Sequence, residues 1–197
     1  MHESSFRILV HSRRLVRSTA CTKDGEAKRV QTQAGSTLSA DPEAGKRPAP
    51  LTECQGEASA LVAVHLDALK VSLELRGLNG VVQVRGDRTQ LQQVVINLLM
   101  NGAGSMMARG SDRRLVLECA AEADDLVSVT VDDLGSGIAP GIAHRLHEPL
   151  FTTKENGMGM GLAISHSIVD ADGGKLTLSA REGVGTRATF TLPRLAH

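Results

Sequence analysis

The run Gly157-Met158-Gly159-Met160-Gly161-Leu162 leads directly into an apolar stretch that ends at Ala171, and Gly173-Gly174 follows. Glycines before a helix let the backbone come close to another group, and glycines after it stop the helix. The neighbouring segments alternate apolar and polar residues, the period of a half-buried strand. They are Leu126–Asp132 before the run, and Lys175–Ala180 and Thr186–Leu192 after it, the last two flanking Gly183-Val184-Gly185. A helix held between such strands, from about Met160 to Ala171, restricts the fold to a sheet with helices packed on it.

The rest of the chain extends this pattern. Thr52-Glu53-Cys54-Gln55 fits a capping box, and Leu61, Val64, Leu66 and Leu69 follow at helical spacing. Val71, Leu73 and Leu75 then alternate with polar residues, Gly77 to Gly80 reads as a turn, and Val81 to Val84 as a second strand. Asp87 can cap a long helix with Leu91, Val94, Val95, Leu98 and Leu99 on its apolar side. A strand near Arg114–Cys119 pairs naturally with the one at Leu126–Asp132. The expected architecture is a two-layer α/β sandwich: a mixed, mostly antiparallel sheet with helices on one face. Residues 1–50 are rich in Ser, Thr, Gly, Lys and Arg and lack periodicity, so they read as a disordered leader or a basic tether. The expected ordered domain is 51–197.

Three groups of residues carry chemistry. Asn97 and Asn101 lie four residues apart on one face of the long helix. Their amides serve either a metal–phosphate site or hydrogen bonds to a neighbouring loop. An amide oxygen is a hard ligand suited to Mg²⁺, which takes substrate phosphates as further ligands. Asp133 stands where a strand runs out and is followed by Gly135, Gly137 and Ile138. Its carboxylate can accept the exocyclic amine of adenine, whereas guanine offers a carbonyl there; the alternative is an ordinary Asp-x-Gly turn.

The third group, Gly157 through Gly159, Met160, Gly161 and Leu162, can present backbone N–H groups and a positive helix end to phosphates. It is neither a Walker A loop nor a dinucleotide fingerprint, since Leu162 stands where the third glycine belongs. The preceding stretch from Glu148 to Asn156 reads as a lid, with Lys154 either reaching a phosphate or remaining a surface charge.

Composition narrows the partners. The formal net charge is zero, which argues against bulk nucleic-acid binding. Aromatic residues make up 2% of the chain, so the core must be aliphatic and only Phe6, Phe151 and Phe190 can stack on a base. Cys21, Cys54 and Cys119 are scattered, as reduced thiols are, and do not form a zinc pattern. No apolar run approaches the ~18 residues that span a bilayer, and FRILV is too short for a signal peptide. No membrane insertion and a cytoplasmic location are therefore expected.

Taken in order, these motifs resemble those of the catalytic ATP-binding domain of bacterial sensor histidine kinases, in the GHKL superfamily. RGDRTQLQQVVINLLMNGAGSM is similar to the N box, VDDLGSGI to the first glycine box, HEPLFTTK to the lid and GMGMGLAIS to the second glycine box. GVGTRATFTLP resembles the closing strand, with Thr186 at a position that helps hold the adenine side. The resemblance covers about Thr52 to Pro193 and implies the Bergerat fold, ATP and Mg²⁺ as cofactors, and γ-phosphoryl transfer to a histidine. It makes Asn97 and Asn101 the candidate catalytic pair, Asn101 the metal ligand and Asp133 the adenine reader. It also implies two partners: a histidine-containing dimerisation domain and a response-regulator receiver domain.

This sequence departs from the pattern at several positions. Gly102 and Gly104 interrupt the N-box helix, where each costs about 1 kcal/mol relative to Ala, so a frayed helix end is expected. His147 and Leu150 replace lid phenylalanines, and Asp172 stands where His commonly precedes Gly-Gly. His2, His11 and His65 lack the setting of a phosphoacceptor, so the acceptor is expected on another chain. Hydrolytic relatives place a Glu where Asn97 stands, which argues against rapid ATP hydrolysis. The alternative readings are an ATP-binding regulatory or truncated module without transfer, or an anti-sigma-type serine kinase.

Overall fold

The computed structural model describes residues 47–77, 82–107, 112–139, 160–181 and 184–195. In chain order the elements are β1 (Arg47–Pro50), α1 (Leu51–Ala68), β2 (Ser72–Gly77), β3 (Gln83–Gly86) and α2 (Arg88–Ser105). There follow β4 (Arg114–Ala121), β5 (Leu126–Asp132), α3 (Gly161–Ala171), β6 (Lys175–Ala180) and β7 (Thr186–Pro193). Five strands form one sheet in the order β2-β4-β5-β7-β6, and β1 and β3 pair separately. Only β2 and β4 run parallel; the other neighbours in the large sheet are antiparallel. The expected two-layer, mostly antiparallel sandwich is the fold observed.

Strand periodicity divides the sheet into two faces. Leu115, Leu117 and Cys119 of β4, Val127, Val129 and Val131 of β5, and Ala188, Phe190 and Leu192 of β7 point into one hydrophobic core. Leu51, Ala58, Val62 and Leu66 of α1, Leu91, Val94, Val95, Leu98 and Leu99 of α2, and Val169 of α3 close that core. Phe190 is the one aromatic side chain among the described residues and is fully buried; the rest of the core is aliphatic, as expected. Cys54 and Cys119 are free thiols inside it, and burial pushes both pKa values up. No helix of the described residues is long and apolar enough to cross a membrane.

Several local expectations are corrected. Residues 47–50, assigned to the leader, form β1 and pair antiparallel with β3. Thr52 is not an N-cap: α1 already begins at Leu51, with Pro50 at the cap and no side-chain cap bond. The start is set instead by the donation from Leu51 N to Val82 O at 2.8 Å, a contact that local sequence does not reveal. The apolar face of α1 is also rotated. Leu61 and Val64 are 68% and 82% exposed, and the buried row runs Leu51, Cys54, Ala58, Val62, Leu66. Small residues at Ala58 and Ser59 bring α1 close to its neighbours, and Ser59 Oγ donates to the Gln55 carbonyl at 2.7 Å. The second strand lies at Gln83–Gly86, later than expected, while Asp87 caps α2 as expected by accepting from Gln90 N at 2.9 Å. The glycines of α2 do not fray it: the helix continues through Gly102 and Gly104 to Ser105.

Candidate nucleotide site

The site lies where the end of β5, the C-terminal half of α2 and the start of α3 meet. Asp133 leaves the sheet one residue after β5 but stays tied to β7. Its N–H donates to the Thr186 carbonyl at 3.0 Å. Its carboxylate Oδ1 accepts from Gly135 N at 2.7 Å and from Thr186 N at 3.2 Å. Asp133 is only 5% exposed. Two backbone donors thus hold one carboxylate oxygen, and Oδ2 takes part in neither bond. Gly135, Gly137 and Ile138 follow on the same loop.

The loop sits against α2. A Cβ added at Gly102 would lie 2.7 Å from Leu115 Cδ2 and 3.3 Å from Asp133 Cβ. The glycine that departs from the family pattern therefore makes room chiefly for Leu115 and, less tightly, for Asp133. Ser105 Oγ donates to the Gly102 carbonyl at 2.8 Å, and Ser136 N donates to the Ser105 carbonyl at 3.3 Å. On the opposite side Gly185 has φ +102°, and a Cβ there would come within 1.9 Å of the Asp133 carbonyl oxygen.

Sequence reasoning missed an ion-pair cluster beneath this loop. Arg187 grips the buried Asp132 carboxylate through two bonds of 2.8 and 2.7 Å. The carboxylate raises the pKa of the Arg187 guanidinium, chiefly through those bonds. Arg181 lies 3.6 Å from Asp132 and donates from Nη1 to the Asp133 carbonyl at 3.1 Å. The signal available in the sequence was register: Asp132 and Arg187 are opposite each other on β5 and β7.

At the other end of the site, Asn97 turns its amide toward α3. Nδ2 donates to the Gly161 carbonyl at 3.1 Å and to Ser165 Oγ at 3.2 Å. Asn101 lies one turn further along α2 and is half-buried. Gly161 opens α3 and Leu162 packs against the core. Met160 occupies the N-cap without a side-chain cap bond, so it does not compete for the N–H groups of the first turn. Lys154, Gly157 and Gly159 lie outside the described residues, as does the lid segment.

The described residues include no group of three or more His, Cys, Asp or Glu able to hold a metal. A metal here would need a sparse protein contribution completed by ligand oxygens, and the Asn101 amide fits that chemistry for Mg²⁺.

Residues 86–196 match the family described as histidine kinase-, DNA gyrase B- and HSP90-like ATPases. The chain belongs to this family. Within it, the curated relatives include the sensor protein FixL of Bradyrhizobium diazoefficiens, 38% identical over 77% of this chain and 30% of that protein. The C4-dicarboxylate transport sensor protein DctS of Rhodobacter capsulatus is 36% identical over 73% of this chain and 22% of its own length. The chain therefore spans less than a third of these relatives. Among solved structures, the catalytic domain of histidine kinase ThkA superposes with a TM-score of 0.67 at 27% identity, covering 76% of this chain and 95% of that one. The mycobacterial sensor histidine kinase MprB gives 0.67 at 25% identity, covering 77% and 99%. This member of the ATPase family is thus a sensor-histidine-kinase-type catalytic domain.

Proposed function

We propose that this domain binds Mg·ATP and presents the γ-phosphoryl group to a histidine carried by a dimerisation domain, from which a receiver domain takes it. The observation that carries the reading is the buried Asp133 carboxylate, oriented through Oδ1 by two backbone N–H groups. Its second oxygen can then accept the adenine amine, and Gly135, Gly137, Ile138 and Thr186 shape the surroundings of the base. Asn101 would hold Mg²⁺, which when bound neutralises charge on the phosphates. Gly157, Gly159, Met160, Gly161 and Leu162, with Lys154, would contact the phosphates. The phosphates meet the positive end of α3. The nucleophile belongs to the partner, so this chain contributes positioning and electrostatics. The use of ATP supports reading the domain as cytoplasmic.

Calorimetry with Mg·ATP and Mg·GTP tests the binding step. ATP should bind and GTP should not, and Asp133→Asn should weaken ATP by roughly 10- to 100-fold, the cost of one mispaired buried polar contact. Equal binding of ATP and GTP by the wild type would overturn the role of Asp133. Labelled ATP mixed with this chain and a separate dimerisation domain should yield phosphohistidine; its absence under every pairing would sink the kinase reading.

A further inference from the structure

Three of the four hydrogen-bonding positions of the Asn97 amide are engaged by protein groups, both Nδ2 donors among them. Besides the two Nδ2 bonds to Gly161 and Ser165, Oδ1 accepts from Gln93 Nε2 at 2.8 Å. Ser165 is fully buried and donates from Oγ to the same Gly161 carbonyl at 2.9 Å. Asn97 Nδ2, Gly161 O and Ser165 Oγ therefore close a triangle between two helices distant in sequence. An amide has no basic atom with which to activate water. Turning it toward a ligand would also break both Nδ2 bonds and leave the buried Ser165 hydroxyl without its donor.

We propose that Asn97 is a positioning residue. Through Gly161 and Ser165 it locks the first turn of α3 to the turn of α2 that carries Asn101. The lock sets the distance between the helix end facing the phosphates and the amide holding the metal, so the proposal rests on the Mg·ATP reading above. The two helices touch at this point: a Cβ added at Gly161 would lie 3.7 Å from Asn97 Cγ, ordinary van der Waals contact, so the close approach does not itself require glycine. Misplacing a binding group by ~1 Å can cost on the order of a hundredfold in rate, which gives such a lock functional weight.

The test compares the whole chain with Ser165→Ala, Asn97→Asp and the double variant. Two measurements are made: ATP affinity with and without Mg²⁺, and amide hydrogen exchange of the ligand-free proteins. Ser165 touches no nucleotide in this reading, yet Ser165→Ala, which removes the bond from Asn97 and the bond to Gly161, should weaken ATP by about tenfold. Asn97→Asp should be at least as weak, although a carboxylate is the better magnesium ligand. The double variant should be no weaker than Asn97→Asp alone, because both changes open the same lock. The losses should persist in EDTA, and adenosine affinity should be unchanged. Exchange should quicken at Ile164 and Ser165, the first amides of α3 with helix partners, and stay as in the wild type on β5 and β7.

Wild-type affinity in Ser165→Ala, with an Asn97→Asp defect that disappears in EDTA, would show a direct metal role and overturn the proposal. Unchanged exchange at the start of α3 would overturn it as well. A wild-type chain that binds no ATP would contradict the nucleotide reading, and exchange would still decide the lock.

Discussion

The Asp133 end of the site is held largely by main chain, whereas the α3 end is held by side chains. At the first, Asp133 N donates to the Thr186 carbonyl, Gly135 N and Thr186 N fix the carboxylate, and Gly185 lies beneath the Asp133 carbonyl. At the second, the hydrogen bonds described between α2 and α3 come from one asparagine amide, which reaches the Gly161 carbonyl and the Ser165 hydroxyl, beside the apolar packing of Val169. Backbone ladders are shared by many residues and resist the loss of any one side chain. A junction made of two side chains can be loosened by removing a single oxygen. The Asp133 end is thus built as part of the sheet, and the α3 end as an adjustable attachment to it.

The sharpest way to break this contrast is to attack the main-chain end where it has no tolerance. Gly185→Val would force a branched residue into positive φ and place its Cβ against the Asp133 carbonyl. It should cost about 3–5 kcal/mol of stability from strain and overlap together, read by urea unfolding. Wild-type stability in this variant would mean that the β7 entrance is not tight. Arg187→Ala tests the ion pair below the loop. Arg187 is half-exposed and Arg181 stays beside Asp132. The loss should be about 1–2 kcal/mol, and smaller at high salt. The smallest stability effect should come from Ser165→Ala, at about 1 kcal/mol by thermal melting, although it weakens nucleotide binding. A larger stability loss there than in Arg187→Ala would reverse the contrast between the two ends.

The sheet was legible in the sequence because alternation is a local property. Leu126–Asp132 and Lys175–Ala180 are the observed strands to the residue. The expected helix around Met160–Ala171 starts one residue later, since Met160 is its cap. The turn at Asp133 was legible because an Asp followed two residues later by Gly marks such a turn, and the Gly135 N–Asp133 Oδ1 bond closes it. Long-range contacts were not legible. The start of α1 depends on Val82, and a glycine that looked like a helix defect leaves room for Leu115 and Asp133. On α1 the larger apolar residues, Leu61 and Val64, face outward while Ala58 and Val62 face in. Hydrophobicity alone favours the larger residues; close approach of two helices favours the smaller ones. Ser165 gave no separate signal, although its place one turn after Gly161 puts it on the face that meets Asn97.

The small β1–β3 ladder has a mechanical consequence. Its register runs from Arg47 opposite Gly86 to Pro50 opposite Gln83. Gly86 is followed by Asp87, the cap of α2, and α2 carries both Asn97 and Asn101. A pull or twist arriving from the chain ahead of Arg47 would load this ladder in shear, and the load would pass through β3 and one capping residue into α2. The order of the chain thus gives whatever lies upstream a short, antiparallel coupling to α2, beside the packing of α1 on that helix.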